Sequence, residues 1–168
     1  HYKTLGQIIR MFCDCIHMGG NMLLDIGPKP DGTIDERQET ILLGLGQWIE
    51  PHREAIFDTD EGIMHRYFLG GSTISKDKQT LYLFVYDKPE ENVCLKGLCN
   101  KIKDITVMHS GKKLNHIIHG GVPWFNIPGT TWIELKAEDC HQYVTVLKIE
   151  LEGELEMYGG SGAVVTHN

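Results

Sequence analysis

The hydrophobic period of this chain changes near Phe57, and that change limits what it can fold into. Ahead of it, Leu5, Ile8, Ile9, Phe12, Cys15 and Ile16 recur at three- and four-residue intervals, as do Ile41, Leu42, Leu45, Trp48 and Ile49. This is the stripe of an amphipathic helix. Beyond the polar stretch "DTDEG" at 58–62 the helical period is lost, and from about Met64 short β-rich runs replace it. They are Leu81 to Tyr86, Ile102 to Met108, Val122 to Ile127, Thr131 to Leu135 and Tyr143 to Leu151, separated by Gly, Asn, Asp, Lys and Pro. Runs at that spacing predict an antiparallel β-sandwich of about seven to nine strands. In the last run Thr145, Leu147, Ile149 and Leu151 share one side and Lys148 and Glu150 the other, the two-residue alternation of a strand.

Within the helical part, Thr4 followed by Gln7, and Asp35 followed by Gln38, have the spacing of capping boxes. Gly19 and Gly20 are placed to end the first helix and Pro51 the second. Between the two helices "NMLLDI" is too short for a third and is bounded by glycines and by Gly27-Pro28. It predicts a nearly fully buried strand of the kind found in parallel sheets, with Asn21, Leu23 and Asp25 on one face. "PKPDGT" then supplies turn chemistry. Helix, strand, loop, helix is a piece of an alternating α/β pattern, and one strand cannot make a sheet. The expected organisation is an α+β composite. Residues 1–58 form the terminal αβα fragment of a barrel, residues 59–160 an antiparallel β-sandwich, and residues 161–168 a flexible tail.

Charge and composition exclude several classes. The formal net charge is -7, with 16 Lys plus Arg scattered among 23 Asp plus Glu. No basic stripe is available to follow a phosphate backbone, so no nucleic-acid partner is expected. No run approaches the ~20 continuous apolar residues that a membrane-spanning helix needs. The five cysteines (Cys13, Cys15, Cys94, Cys99 and Cys140) include no C-x2-C pair, and the nine histidines include no H-E-x-x-H helix. Reduced structural thiols and no metal site are therefore expected. The first residue is His1 rather than Met, as expected of a chain cut from something longer.

Several motifs in order carry a family resemblance. "GGNMLLDIGPKPDGTI" is similar to the G-G-N-L-L-L-N-I-G-P-x-x-D-G-x-I signature near the end of the catalytic barrel of α-L-fucosidases of glycoside hydrolase family 29. "LGQWIEPHREAIFDT" resembles that family's helix G-x-W-L-x-x-N-G-E-A-I-Y, and "LYLFVYDKP", "LKGLCNKIKDITVM" and "YVTVLKIELEGELEMY" resemble parts of its C-terminal domain. The resemblance implies a (β/α)8-like barrel followed by a β-sandwich. It also implies exo-acting removal of terminal α-L-fucose from glycans with retention of configuration. That mechanism uses two carboxyl groups, one as nucleophile and one as acid/base. The family's motifs for that Asp and Glu are absent from this chain, so it is expected to hold no catalytic residue and to be inactive by itself. The remainder of the barrel and a fucosylated oligosaccharide are the implied partners, and no metal or organic cofactor is implied. The resemblance also implies a secreted, periplasmic or lysosomal setting.

Asp25 stands where the family has Asn. At the top of a closing barrel strand it is a candidate substrate-binding residue; the alternative is a loop role, accepting backbone N–H groups between Gly27 and Gly32. Glu54 matches a family Glu but is read as structural, and Trp48 as packing. His52 and Arg53 replace the family's Asn-Gly. Trp124 and Trp132, in "GGVPWFNIPGTTWIEL", are candidates for stacking on sugar faces, and they support an alternative reading as a non-catalytic carbohydrate-binding or structural module. His116, His119 and His141 show no ligand set.

Overall fold

The run Leu81 to Val85 is apolar at every position, which a strand tolerates only when both its faces are covered. In the computed structural model, which describes residues 2–90 and 92–159, that requirement organises the molecule. The strands are β1 (Thr59–Glu61), β2 (Gly71–Ser75), β3 (Thr80–Val85), β4 (Val93–Leu95), β5 (Ile102–Val107), β6 (Lys112–Lys113), β7 (His116–His119), β8 (Thr130–Ile133) and β9 (Thr145–Leu151). One sheet runs β1-β2-β3-β9-β5-β6 and a second runs β4-β8-β7. Every pairing is antiparallel.

Register sorts the central side chains into two cores. Leu81 lies opposite Ile149, and Leu83 opposite Leu147; Ile105 and Val107 meet the same two β9 residues from the other side. These residues point at Val93, Leu95 and Ile133 of the small sheet, forming the core between the sheets. Tyr82, Phe84 and Val146 point the other way, into a core built with Ile8, Ile9, Cys13, Leu45, Trp48 and Ile56. The result is three layers: helices, six-stranded sheet, three-stranded sheet. Lys148 and Glu150 alternate to the helical side of β9, as the pattern predicts, and are only half-buried there.

Helix α1 (Leu5–His17) begins in the expected capping box: the Thr4 hydroxyl accepts from Gln7 N, and the Gln7 side chain accepts from Thr4 N. It ends at Met18 with Gly19 left-handed at φ +74°, and Gly20 N returns to Cys15 O. Helix α2 (Glu36–Ile49) is capped by Asp35, whose carboxylate accepts from Arg37 N at 2.9 Å. The reciprocal bond expected of Gln38 is not made, because that side chain is engaged at Gly27. A 3-10 turn (Glu50–His52) leads into α3 (Arg53–Ile56).

Two expected strands are corrected. "NMLLDI" is not a nearly fully buried strand: it has no ladder partner among the described residues, and its burial alternates. Met22, Leu24 and Ile26 are half-buried, while Asn21, Leu23 and Asp25 are exposed, Leu23 at 94%. Helices cover one side of the segment, and no described residue covers the other. Val122 to Ile127 is also not a strand. Pro123–Phe125 forms a 3-10 turn inside the β7–β8 connection, closed by a Val122–Ile127 bridge, with Asn126 left-handed at φ 53°. Proline offers no N–H to a ladder, and the left-handed residue reverses the chain. The proposed tail, 161–168, lies outside the described residues.

Three hydrogen bonds to backbone carbonyls are among the contacts that fasten the helices to the sheet. The buried Trp48 indole donates to Val144 O at 3.1 Å, Thr73 Oγ1 donates to Ala55 O at 2.6 Å, and Gly62 N donates to His17 O at 2.9 Å. Gly62 passes so close that a Cβ there would sit 2.2 Å from Ser72 O, which only glycine permits. Trp48→Ala should therefore destabilise the chain by about 3–5 kcal/mol, through the cavity and the stranded Val144 carbonyl. The exposed Trp124→Ala should stay within about 0.5 kcal/mol of wild type. Urea denaturation midpoints check both.

Candidate functional site

The turn between "NMLLDI" and α2 is held by two side chains. Asp31 Oδ1 accepts from Thr33 N at 3.0 Å and from the Thr33 hydroxyl at 2.7 Å, which holds the Asp31 carboxyl below the usual carboxylate range. Lys29 and Thr33 pair through the backbone at 2.7 Å. Gln38 grips the Gly27 peptide: its Oε1 accepts from Gly27 N at 3.1 Å, and its Nε2 donates to Gly27 O at 3.4 Å and to the Tyr2 hydroxyl at 3.2 Å.

These contacts shape an open cleft of about 270 Å³ between the turn and the helices, lined by Tyr2, Lys3, Leu24, Asp25, Gly27 and Gln38. Asp25 stands exposed at it. The loop role considered for its carboxylate is not realised, since no hydrogen bond or ion pair to another described residue engages it, and the loop amides are served by Asp31, Gln38 and backbone carbonyls. The arrangement is a mixed apolar and polar cleft with one uncommitted carboxylate, able to accept from a hydroxyl-bearing ligand.

The structure does not bring the tryptophans to this cleft. Trp124 is 81% exposed at the tip of the β7–β8 connection beside Phe125, itself 69% exposed. That connection belongs to the small sheet, in the layer farthest from the helices. Trp132 is half-buried in β8, with Cys94 and Ile117 as its cross-strand neighbours. Glu54 links α3 to the sheet, accepting from Tyr82 OH at 2.8 Å and from Lys148 Nζ at 2.7 Å. Burial alone would raise the Glu54 carboxyl, but these two donors and the Lys148 charge bring it below its ordinary value. Burial, then the bond to Glu54, pushes the Tyr82 phenol well up.

The fold also assembles a histidine cluster from His52, His109 and His141. His52 is fully buried, and its Nδ1 donates to Trp48 O at 2.6 Å. Burial pushes its imidazole down to about 4 against the opposing pull of the Trp48 carbonyl, with His141 and His109 reinforcing the shift. Burial also lowers His109 and His141. The three come from separate segments with no shared local motif, so only the fold reveals them. Among the described residues no group of three or more His, Cys, Asp or Glu is arranged to hold a metal ion, and no helix is long and apolar enough to cross a membrane.

The α-L-fucosidase family model matches residues 1–54. Plasma α-L-fucosidase of Homo sapiens is 29% identical over 92 residues, 55% of this chain and 18% of that protein. Tissue α-L-fucosidase of Rattus norvegicus is 41% identical over 52 residues, 31% of this chain and 11% of that protein. The chain thus spans under a fifth of the length of either relative. Among solved structures, the α-L-fucosidase of Vibrio sp. strain EJY3 superposes with a TM-score of 0.79 at 28% identity, covering 92% of this chain and 27% of that one. A Bacteroides thetaiotaomicron α-L-fucosidase, trapped as a covalent intermediate, shares the fold with a TM-score of 0.77 at 17% identity, covering 91% and 33%. In sequence through its first 54 residues, and in fold through 92% of its length, this chain is related to the α-L-fucosidases.

Proposed function

We propose that this chain is part of a retaining, exo-acting α-L-fucosidase that hydrolyses terminal α-L-fucose from glycans and glycoconjugates. Its helical segment would complete a (β/α)8-like barrel, and its sheets would form the accompanying C-terminal β-sandwich. The observation that carries this reading is the segment from Asn21 to Gly27, which lies inside the family match, has an apolar inner side and leaves Leu23 and Asp25 bare. Strands from the rest of a barrel would cover Leu23 and complete the backbone hydrogen bonding that this segment lacks. Asp25 would then stand at the strand's carboxyl end, where barrel enzymes build their sites.

Retention requires two carboxyl groups about 5–5.5 Å apart, one attacking the anomeric carbon and the other protonating the leaving oxygen and then activating water. We assign both to the part of the barrel outside this chain. The covalent intermediate trapped in the Bacteroides enzyme supports a double-displacement route for the family. Asp25, with Gln38 fixing the adjacent Gly27 peptide, would accept a hydrogen bond from a sugar hydroxyl rather than take part in bond breaking.

A second reading, a carbohydrate-binding module, is favoured by the exposure of Trp124 and Phe125, whose ring faces are free to stack on sugars.

The 168-residue chain alone should release no fucose from an aryl α-L-fucoside, whereas the full-length protein should. Turnover by the isolated chain would place the catalytic pair within it, and an inactive full-length protein would end the fucosidase assignment. Asp25→Ala in the full-length protein should lower kcat/KM by about 10- to 100-fold, the loss of one charge-assisted hydrogen bond, without changing the pH optimum. Unchanged kinetics would return Asp25 to a structural role. If the module reading holds, immobilised glycans should retain the chain, and Trp124→Ala should abolish that retention.

A further inference from the structure

Where the helical layer meets the sheet, three imidazoles from separate segments close on one another. His52 follows α2, His109 lies in the β5–β6 turn, and His141 lies in the segment leading to β9. Ring centroids are 6.3 Å apart for His52 and His109, 6.0 Å for His52 and His141, and 5.3 Å for His109 and His141. His52 also lies against Trp48, centroid to centroid 4.6 Å, and Trp48 is itself tied to Val144.

The hydrogen bonding suits the neutral rings. His52 Nδ1 donates to Trp48 O, leaving Nε2 a buried lone pair without a partner. His141 Nδ1 accepts from Tyr143 N at 3.2 Å, and His109 Nδ1 is buried without a partner. A proton added at His52 Nε2 or His109 Nδ1 would be a buried charge with no acceptor. The charges around the cluster do not offset this. Asp139 acts on His109, but both its oxygens accept from Lys112 Nζ, at 2.7 and 2.8 Å. Lys88 acts on neighbouring Cys140, whose thiol burial pushes up. The Glu50–Arg53 pair flanking His52 is exposed, and the Tyr143 ring lies against His141.

We propose that His52, His109 and His141 form an acid-operated release for the helical layer: their protonation drives α1 and α2 off the β3–β9 face while the core between the two sheets stays intact. Unfolded histidines titrate near ~6.5. All three are held lower in the fold, so the unfolded or undocked state binds more protons below that value. The docking free energy is therefore fully present above about pH 6.5 and is lost progressively as pH falls toward the folded-state values. The buried cluster between the sheets is apolar and includes none of the three histidines, which places the effect on the helical side of the large sheet.

Hydrogen exchange of the full chain, corrected for intrinsic rates, tests this between pH 7.5 and 5. Amides of α1 and α2 should lose about ten-fold protection or more while β3, β5 and β9 keep theirs, and His52→Asn should remove most of that dependence. His109→Gln, at a less buried position, serves the same purpose if His52→Asn fails to fold. Helix protection that is equal at both pH values, sheet protection that falls in step with it, or a variant that retains the full dependence would each overturn the proposal.

Discussion

The molecule depends on a central strand pair that carries buried apolar side chains on both faces. β3 and β9 cannot sit at a surface on either side, so one face must find a second sheet and the other a layer of helices. The small sheet and the two long helices answer that demand separately. The two covers lie on opposite faces of the same backbone, and Trp48 and Thr73 stitch the helical cover to it through hydrogen bonds rather than apolar contact alone. Segments that differ in hydrophobic period thus share one central element.

Much of this was legible in the sequence wherever a local rule decides the outcome. The Thr4–Gln7 capping box, the two amphipathic helices and the alternation of β9 follow from side-chain spacing alone, and they appear at the expected residues. Rules that need a partner elsewhere were less reliable. "NMLLDI" has the composition of a strand buried on both sides, but composition does not say whether the second cover is present. Gln38 has the spacing of a capping partner, yet the peptide of Gly27 competes for it and wins two bonds. The histidine cluster was invisible, because its members are brought together by the packing of α2 against β9 and by the β5–β6 turn, and no local pattern encodes that.

The candidate features for sugar recognition divide between the outer layers. Asp25 and its cleft belong to the helical layer, whereas the Trp124–Phe125 tip belongs to the small sheet, with the six-stranded sheet between. The cleft beside Asp25 and the Trp124–Phe125 tip are therefore separate surfaces of this fold.

Lys148 and Glu150 sit among the hydrophobic residues of β9, on the helical side and just beyond the helices' cover, with Lys148 meeting Glu54 at 2.7 Å. A strand paired on both edges is exposed to register error, since a one-residue slip exchanges its two faces. Such a slip would turn Lys148 and Glu150 inward between the sheets, where each uncompensated charge costs several kcal/mol. The two charged residues thus act as a phase lock: they leave β9 one alignment in which both neighbouring cores stay dry.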